Sequence, residues 1–432
     1  MQCIKIFPRK LRGSINIPPS KSLAHRAIIA AGLAKGESII ENIAYSKDIL
    51  ATIHGMKNFG VCINEINKDN NRALDIKGVS RIEIQNSIVD CIESGSTLRF
   101  LIPIALLQGD REVTFTGTGK LPQRPLDEYY NIFRNENIFY QNEKGNLPLR
   151  VKGKLKPGEF HLKGDISSQF ITGLMFALPL LNGDSKIIIT SKLESKAYVD
   201  LTMDILNKFG IKIENNLYRE FYIKGNQSYL ARDYKVEGDF SQGAFWLTAG
   251  AIGEEISCKN LNINSLQGDK EIINIIKSMG GIIDINHDFI RANPSELKGI
   301  TIDVSEIPDL VPILAVAGSV SNGATKIINA KRVRIKECDR LHAIACELNK
   351  IGGDVEELED SLIIRGNKKL KGGVVDSWND HRIAMALAVA SIACEEPLII
   401  NNSEAVEKSY PNFWKEFTNV GGNIIYDMKI KL

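Results

Sequence analysis

The hydrophobic residues of this chain follow two alternating patterns. Short segments such as IKIEN (211–215) and EFYIKG (220–225) alternate apolar and polar residues, which predicts strands. Between the strands lie alanine-, leucine- and isoleucine-rich segments of helical composition, and a second kind of segment with the spacing of an amphipathic helix. This alternation of helices and strands indicates a mixed α/β protein.

The pattern repeats along the whole chain. Each small-residue helix ends in a turn that leads into an apolar strand, and the turn positions are 73, 74, 70, 70 and 72 residues apart: Gly36, Gly109, Gly183, Gly253, Gly323 and Glu395. The second helix of each copy usually ends on glycine, as expected of a left-handed C-cap: NFG (58–60), KFG (208–210), SMGG (278–281), KIGG (350–353) and NVGG (419–422). The second copy lacks this glycine and has FRNENIF instead. The sequence therefore predicts six βαβαββ units, and six units suggest two domains of three.

The starts of the six small-residue helices are rich in polar residues: PPSKSLAHRA (18–27), ESGSTLRF (93–100), GDISSQF (164–170), GDFSQGAF (238–245), VSEIPDLVPI (304–313) and SWNDHRIAM (377–385). Ordinary N-capping by Ser, Asp and Asn explains much of this composition. It does not explain Lys21, Arg26, Arg99 and Arg382, which we place in the first turns, where a cation opposes the helix dipole unless an anion is present. Free N–H groups with adjacent cations predict phosphate or carboxylate sites. Four further basic residues lie in predicted loops: Arg124, Lys336, Arg340 and Lys408.

Composition narrows the class of protein. A chain of 432 residues is long enough for two domains, and its 44% apolar and 25% charged residues are typical of a globular protein. A formal net charge of +2 argues against a nucleic-acid partner. Seven scattered cysteines without a CxxC pair predict reduced thiols. The chain starts without a signal-peptide pattern, and its longest nearly apolar run, Ile383 to Cys394, is well short of the ~18 residues of a membrane span, so we expect a cytoplasmic protein without a membrane partner.

Several motifs give the chain a resemblance to the 5-enolpyruvylshikimate-3-phosphate synthase family over nearly its full length: PPSKSLAHRA, SGSTLRFL, GTGKLPQRPL, GDISSQFITGL, EIPDLVPILA, RIKECDRL, NDHRIAMALA and EKSYPNFW. The resemblance implies two inside-out α/β barrel domains, each of three βαβαββ repeats. One domain would combine residues 1–16 with 237–432 and the other would be 17–236, with crossovers near Pro18-Pro19 and Glu237-Gly238. It also implies an active site in the cleft between the domains, a monomer, and no cofactor or metal.

The same resemblance implies transfer of the enolpyruvyl group of phosphoenolpyruvate to the 5-hydroxyl of shikimate 3-phosphate, a step of aromatic amino-acid biosynthesis. The residues that would contact shikimate 3-phosphate are Lys21, Ser22, Arg26, Ser167, Ser168, Gln169, Ser195, Asp309 and Lys336. Those that would hold phosphoenolpyruvate are Lys21, Gly95, Arg124, Gln169, Arg340, Arg382 and Lys408. Because each substrate carries a phosphate and a carboxylate, concentrated cations make physical sense, with arginine suited to bidentate binding.

The implied reaction is addition followed by elimination, which needs a group to accept the hydroxyl proton and a group to protonate carbon. We assign Asp309 as the base and Glu337 as the acid, with Lys21 close to both substrates and able to relay a proton. Without the resemblance, simpler interpretations would apply to both residues. Asp309 would be a helix cap, and Glu337 would be a surface carboxylate paired with Lys336 or Arg340.

Two residues depart from the family pattern, and the second, Ala197 in SKAYVD where proline is common, is minor. Glu93 stands before Ser94-Gly95-Ser96 where the family usually has asparagine. Glyphosate is an inhibitor that occupies the phosphoenolpyruvate place in this family, and Glu93 leaves the response of this chain to glyphosate open.

Three alternative functions remain. A UDP-N-acetylglucosamine enolpyruvyl transferase usually has a cysteine in the loop that here is GTGKLPQRPL; a non-catalytic anion-binding protein would not need Asp309 and Glu337; and an RNA-end-processing enzyme of related topology would need a stronger basic track.

Overall fold

The computed structural model describes residues 2–68, 71–109, 111–367 and 369–427. By its internal contacts the chain divides into two compact units, Met1–Pro18 with Glu237–Leu432, and Pro19–Val236. Each unit has its own hydrophobic core. All seven cysteines lie within the described ranges, and none of them forms a disulfide there.

Helices and strands alternate along both units. The helices are α1 Lys21–Leu33, α2 Lys47–Asn58, α3 Gly95–Ala105, α4 Asp127–Asn135, α5 Ser168–Ala177, α6 Lys196–Lys208, α7 Phe240–Ile252, α8 Ile272–Ser278, α9 Val311–Ser319, α10 Arg340–Lys350, α11 His381–Ala390 and α12 Phe413–Asn419. The strands are β1 Cys3–Phe7, β2 Gly13–Asn16, β3 Ala34–Glu41, β4 Cys62–Lys68, β5 Asn71–Gly78, β6 Ile88–Asp90, β7 Val113–Thr116, β8 Phe139–Glu143, β9 Asn146–Lys152, β10 Glu159–Leu162, β11 Ser185–Ile189, β12 Ile213–Asn216, β13 Glu220–Ile223, β14 Tyr229–Leu230, β15 Tyr234–Lys235, β16 Ile256–Lys259, β17 Ile282–Ile285, β18 Phe289–Asn293, β19 Thr301–Asp303, β20 Ala324–Ile328, β21 Asp354–Glu357, β22 Leu362–Arg365, β23 Gly373–Asp376, β24 Leu398–Asn401 and β25 Asn423–Asp427.

Six small sheets share one strand order. In the unit Pro19–Val236 the orders are β14-β3-β5-β4, with β15 also paired to β3, then β6-β7-β9-β8 and β10-β11-β13-β12. In the other unit they are β2-β16-β18-β17, β19-β20-β22-β21 and β23-β24-β1-β25. In every sheet the first pair is parallel and the other two pairs are antiparallel. The six predicted repeats are therefore confirmed.

Three of these sheets are completed by strands from distant parts of the sequence. Strand β1 lies between β24 and β25, with Cys3 opposite both Asn401 and Asp427. Strand β2 pairs in parallel with β16, with Ile15 opposite Cys258. Strands β14 and β15 follow the third repeat in sequence but pair with β3 of the first repeat.

The second helix of each repeat ends in a left-handed residue, as the glycines predict. Gly60, Gly210, Gly280, Gly352 and Gly421 have φ between 85° and 98°. The second repeat lacks this glycine but keeps the left-handed ending, because Asn137 has φ 53° there and the Ile138 N–H donates to the Phe133 carbonyl over 2.9 Å. Asparagine tolerates the left-handed region better than other residues with a side chain, so the ending is preserved without glycine.

The small-residue helices form the centres of the cores. Every residue of α11 from His381 to Ala390 is buried, as is all of α7 except Ile252. A helix that is apolar all round belongs inside a protein, which accounts for the lack of a clear polar face in these segments. Within the described ranges, no helix combines the length and the apolar composition needed to cross a bilayer.

Candidate active site

The start of α1 is the first predicted anion site. Its N-cap residue, Ser20, makes no capping hydrogen bond with its side chain, and the buried Ser20 hydroxyl has no hydrogen-bond partner among the described residues. The Lys21 ammonium donates to Asp48 Oδ2 over 2.7 Å, and both side chains are mostly buried. The charge that this cation requires at a helix start is therefore supplied by a carboxylate of the neighbouring helix α2.

Arginine and glycine lie together at the start of α3. A Cβ atom at position 95 would lie 2.5 Å from Arg124 Nη1 and 3.0 Å from Arg99 Nη1, so the absence of a side chain at Gly95 leaves room for both guanidinium groups. The buried Nε of Arg124 has no hydrogen-bond acceptor within the described part of the chain. Arg124 is thus a cation next to a helix N-terminus with hydrogen-bonding capacity still available.

Gln169 connects the starts of α3 and α5. Its Oε1 accepts from Arg99 Nη1 over 2.9 Å, and its Nε2 donates to Ser96 Oγ over 3.0 Å. The Ser167 hydroxyl caps α5 by accepting from the Gln169 N–H over 3.3 Å. Ser168 is the first residue of α5 and is buried. The amide of Gln169 is held in one orientation by these contacts.

Arg26 lies deeper in the same unit, in the second turn of α1 rather than in its first. It is 3% exposed, and its guanidinium donates to Thr202 Oγ1 over 2.8 Å and to the carbonyls of Ser22 and Tyr198 over 2.7 and 3.0 Å. Burial lowers the pKa of Arg26 to about 10. The nearby Ser195 is buried at the N-cap of α6 with a left-handed backbone, φ 56° and ψ 45°, a conformation that costs a non-glycine residue energy and that clusters at functional sites.

The other unit contains a cluster of carboxylates around one buried arginine. Arg340 was predicted to lie in a loop but is the first residue of α10, and its side chain is 1% exposed. It donates to Asp309 Oδ1 over 2.8 Å, to Glu337 Oε2 over 2.6 Å and to Asp380 Oδ2 over 2.7 Å. Although burial opposes it, the charges of the three carboxylates hold the pKa of Arg340 well above its ordinary value. The arrangement fixes the two predicted catalytic carboxylates on one guanidinium.

Asp309 contacts two further cations. Its Oδ2 accepts from Arg382 Nη2 over 3.0 Å, and its Oδ1 lies 3.5 Å from Lys336 Nζ. Burial lowers the pKa of Lys336 to about 8, an effect that the Asp309 charge opposes. Asp309 belongs to the short 3-10 turn Pro308–Leu310 that leads into α9. With three cationic side chains in contact with its carboxylate, Asp309 forms more than a helix cap.

Just before helix α11, a backbone carbonyl accepts a hydrogen bond from a buried lysine. Trp378 and Asn379 are consecutive residues in the left-handed region, with φ of 54° and 53°. The Asn379 carbonyl accepts from Lys408 Nζ over 2.5 Å, and Lys408 is 5% exposed. Asp380 then caps α11 by accepting from the Arg382 N–H over 2.8 Å. The two strained residues thus place Lys408 beside the positive end of a helix that also carries Arg382.

Both units therefore place cationic side chains at or near helix starts, and in one unit several carboxylates surround the buried Arg340. A family model for EPSP synthase (3-phosphoshikimate 1-carboxyvinyltransferase) matches residues 7–417 of the chain. The 3-phosphoshikimate 1-carboxyvinyltransferase of Clostridium novyi is 63% identical over 429 residues, covering 98% of both chains. That of Clostridium acetobutylicum is 57% identical over 425 residues, again covering 98% of both.

The chain belongs to the EPSP synthase family. An EPSP synthase structure from Acinetobacter baumannii has a TM-score of 0.84 with 25% identity, and the match covers 99% of this chain and 100% of that one. The enolpyruvyl transferase NikO from Streptomyces tendae has a TM-score of 0.79 with 15% identity, covers 98% of both chains, and shows likeness of fold alone. The predicted membership of this family is confirmed, and with it the mixed α/β fold and the enzymatic nature of the chain.

No role is predicted from the sequence for three carboxylates that the structure places in ion pairs or in the core. Asp48 pairs with Lys21, Asp380 pairs with Arg340, and Asp269 is a buried carboxyl that shares a very short hydrogen bond with the Ser241 hydroxyl. Aspartate is common in the first turn and at the N-cap of helices, where capping alone explains it. The positions of Asp48 and Asp380 in the sequence therefore did not indicate their ion pairs. Asp269 lies outside all six helix starts.

Glu93, the first of the two residues that depart from the family pattern, faces the loop that carries Arg124. A Cβ atom at Gly119 would lie 2.3 Å from Glu93 Oε2, and Gly119 has φ 60°, so this glycine meets both a steric and a backbone requirement.

No three His, Cys, Asp or Glu side chains come together in the described ranges as a metal site would require. The two histidines nearest the helix starts, His25 and His381, are buried, and His25 Nδ1 shares a hydrogen bond with Thr52 over 2.7 Å.

Proposed function

We infer that the chain transfers the enolpyruvyl group of phosphoenolpyruvate to the 5-hydroxyl of shikimate 3-phosphate and releases phosphate, as a step of the shikimate pathway. Membership of the EPSP synthase family carries this conclusion. The local chemistry agrees with it, because the cations at the helix starts suit two substrates that each bear a phosphate and a carboxylate. The carboxylates around Arg340 supply the acid and base that the reaction needs.

For phosphoenolpyruvate we propose binding by cations from both units. Arg124 has an Nε without an acceptor in the described part of the chain, and the Gly95 position leaves space beside it. Arg382 and Lys408 flank the start of α11, and Arg340, Gln169 and Lys21 complete the set assigned from the family motifs. An incoming anion would compete with Asp48 for Lys21 and with Asp309 for Arg382.

For shikimate 3-phosphate we propose Lys21, Ser22, Arg26, Ser167, Ser168, Gln169 and Ser195 in one unit with Asp309 and Lys336 in the other. Serine hydroxyls and main-chain N–H groups at the starts of α5 and α6 suit a phosphate. Lys336 is 3.5 Å from Asp309 and can place a charge beside the reacting hydroxyl. Arg26 donates to neutral oxygens rather than to a carboxylate, so its charge is available to a bound anion.

In the proposed mechanism the 5-hydroxyl adds to the second carbon of phosphoenolpyruvate. Asp309 accepts the hydroxyl proton, while the methylene carbon takes a proton from Glu337 and becomes a methyl group. Loss of that methyl proton and of the phosphate then restores the alkene, with the acid and base roles reversed. Lys21 stays charged beside the developing phosphate and is able to relay a proton. Cations held by the fold before the reaction stabilise the intermediate without rearranging.

We further propose that the two units are the two domains of the family fold, with 1–16 and 237–432 in one and 17–236 in the other, and that each is an inside-out α/β barrel of three repeats. The six sheets of common topology support this. The distribution of the assigned residues over both units supports an active site in the cleft between them. The proposal includes a monomer in the cytoplasm.

The test of function is phosphate release from purified protein given phosphoenolpyruvate with shikimate 3-phosphate, beside UDP-N-acetylglucosamine and a control without acceptor. We expect release only with shikimate 3-phosphate, with the enolpyruvyl ether confirmed by mass. Release only with the sugar nucleotide would assign the chain to cell-wall synthesis, and release with neither acceptor would refute turnover altogether.

The roles of the two carboxylates need separate variants. Glu337→Gln and Asp309→Ala should each lose most turnover while substrate binding survives better than catalysis. Glu356→Gln, an exposed carboxylate on strand β21 of the same unit, is the matched control and should keep full activity. Turnover close to that of the wild type in a folded Glu337 or Asp309 variant would remove that residue from the mechanism.

A further inference from the structure

Asp269 is a buried carboxyl that the proposed mechanism does not use. It lies in the 3-10 turn Gly268–Glu271 and is 3% exposed. One oxygen, Oδ2, shares the very short hydrogen bond with the Ser241 hydroxyl, and the other, Oδ1, has no hydrogen-bond donor among the described residues. Burying an ionised carboxylate with one oxygen unpaired costs free energy, and protonation to the neutral form avoids that cost.

The position of Asp269 is fixed by the start of helix α7. The Phe240 N–H donates to Gln267 Oε1 over 3.0 Å, and Gln267 Nε2 donates to the Gly238 carbonyl over 2.8 Å. Helix α7 also packs against the turn Pro308–Leu310, which carries Asp309. The turn with Asp269 and the turn with the proposed catalytic base are therefore held against the same helix.

The charges that act on Asp269 come from several elements. Burial is the largest influence and, together with the charge of Asp309, raises the pKa of Asp269 to about 7. Arg382 of α11 and the Ser241 hydroxyl lower this pKa, and Asp239, the N-cap of α7, raises it. Electrostatic interaction between two titrating groups is reciprocal, so the charge of Asp269 acts on Asp309 as well.

The cations around Asp309 oppose its proposed role as a base. Its carboxylate contacts Arg340, Arg382 and Lys336. Positive charges beside a carboxylate favour its ionised form and so weaken it as a base. A negative charge nearby offsets part of that effect without contacting the substrate. We propose that Asp269 is a positioning residue that sets the proton affinity of Asp309, holding a proton in acid and, once it has lost that proton, making Asp309 a stronger base toward the acceptor hydroxyl.

This inference rests on the proposed function, and the first test is the pH profile of kcat for the transfer reaction. Asp269→Asn replaces the carboxyl by a neutral group of nearly the same shape, as in the protonated form. We expect similar kcat for variant and wild type near pH 6, and roughly threefold to tenfold lower kcat for the variant near pH 8. Ionisation of the substrate phosphate affects both proteins alike and cancels in the ratio.

A second variant keeps the carboxyl and changes only its environment. Ser241→Ala removes a hydrogen bond that favours the ionised form, so the rise of kcat with pH should move to higher pH. Asp284→Asn, an exposed carboxylate on strand β17, is the control and should follow the wild-type profile. If Asp269→Asn does not fold, the shift in Ser241→Ala carries the test.

The third measurement does not depend on turnover. A carboxyl whose pKa is higher in the folded than in the unfolded protein destabilises the fold as pH rises between the two values. The melting temperature of Asp269→Asn relative to wild type should therefore increase from about pH 5 to about pH 8. A constant difference in melting temperature, or a kcat that Asp269→Asn lowers equally at every pH, would overturn the inference. Wild-type protein that releases no phosphate would refute the proposed function instead, while the melting measurement would still decide whether Asp269 titrates.

Discussion

Substituting Gly95 by alanine would separate the assigned phosphoenolpyruvate site from the stability of the fold. The new Cβ would lie 2.5 Å from Arg124 Nη1 and 2.9 Å from its Cζ, whereas ordinary contacts begin at 3.4 Å. The Arg124 guanidinium must therefore move by roughly 1 Å, the scale of misplacement that can cost a factor of about 100 in an enzyme.

The stability of the fold should change far less than the binding of phosphoenolpyruvate. The atoms that the methyl group meets are the far ends of two arginine side chains, not backbone. Side-chain ends can move at a cost typical of surface substitutions, about 0.5 kcal/mol, which would shift the melting temperature of a chain of this size by no more than ~2 °C.

The assay is steady-state kinetics with each substrate varied in turn, beside thermal melting. We expect KM for phosphoenolpyruvate to rise by roughly 10- to 100-fold and KM for shikimate 3-phosphate by less than about threefold. Gly158→Ala is the control, because its Cβ would meet nothing within 4 Å. An unchanged KM for phosphoenolpyruvate in folded protein, or equal increases for both substrates, would refute the placement of Arg124.

Three further predictions concern other parts of the chain. Arg340→Met should destabilise the protein by about 3–5 kcal/mol in urea denaturation, because it leaves buried carboxylates without their cation, and a smaller loss would mean that water compensates them. The affinity for shikimate 3-phosphate should fall as pH rises through about 8, since Lys336 then loses its charge, and Lys336→Arg should flatten that dependence in calorimetric titrations. Asn137→Ala should destabilise the chain by about 1 kcal/mol while Asn137→Gly should not, and equal effects in denaturation curves would contradict the left-handed ending of α4.

The repeat was predictable because its signals are local. A glycine after an amphipathic helix and a turn before an apolar strand act within a few residues, and together they indicate all six units. Asn137 shows the limit of such a rule, since it prescribes a backbone conformation that glycine most often, but not always, supplies. The pairing of β1 with β24 and β25 was beyond reach, because register between segments so far apart depends on tertiary packing.

The cations of the candidate site were predictable, but the protein groups that pair with them were not. Lys21 and Arg382 conflict with the dipole of their helices, and that conflict pointed to anions. In this structure carboxylates of the protein itself, Asp48 and Asp309, supply the charge. Arg26 and Arg99 contact neutral oxygens instead and lie beyond the first turn. Only the tertiary structure distinguishes these cases.

The exchange of strands between distant repeats has a consequence for synthesis on the ribosome. Among the described strands β1 leaves the ribosome first, yet both its neighbours, β24 and β25, lie close to the other end of the described chain. At ~5–20 residues per second, roughly 20 to 80 s separate the strand from its partners. Each sheet of Pro19–Val236 has all its strands much earlier. The nascent chain can thus complete its interior unit while two strands at its start wait unpaired, and this interval is the period in which edge-to-edge association with other chains is most dangerous.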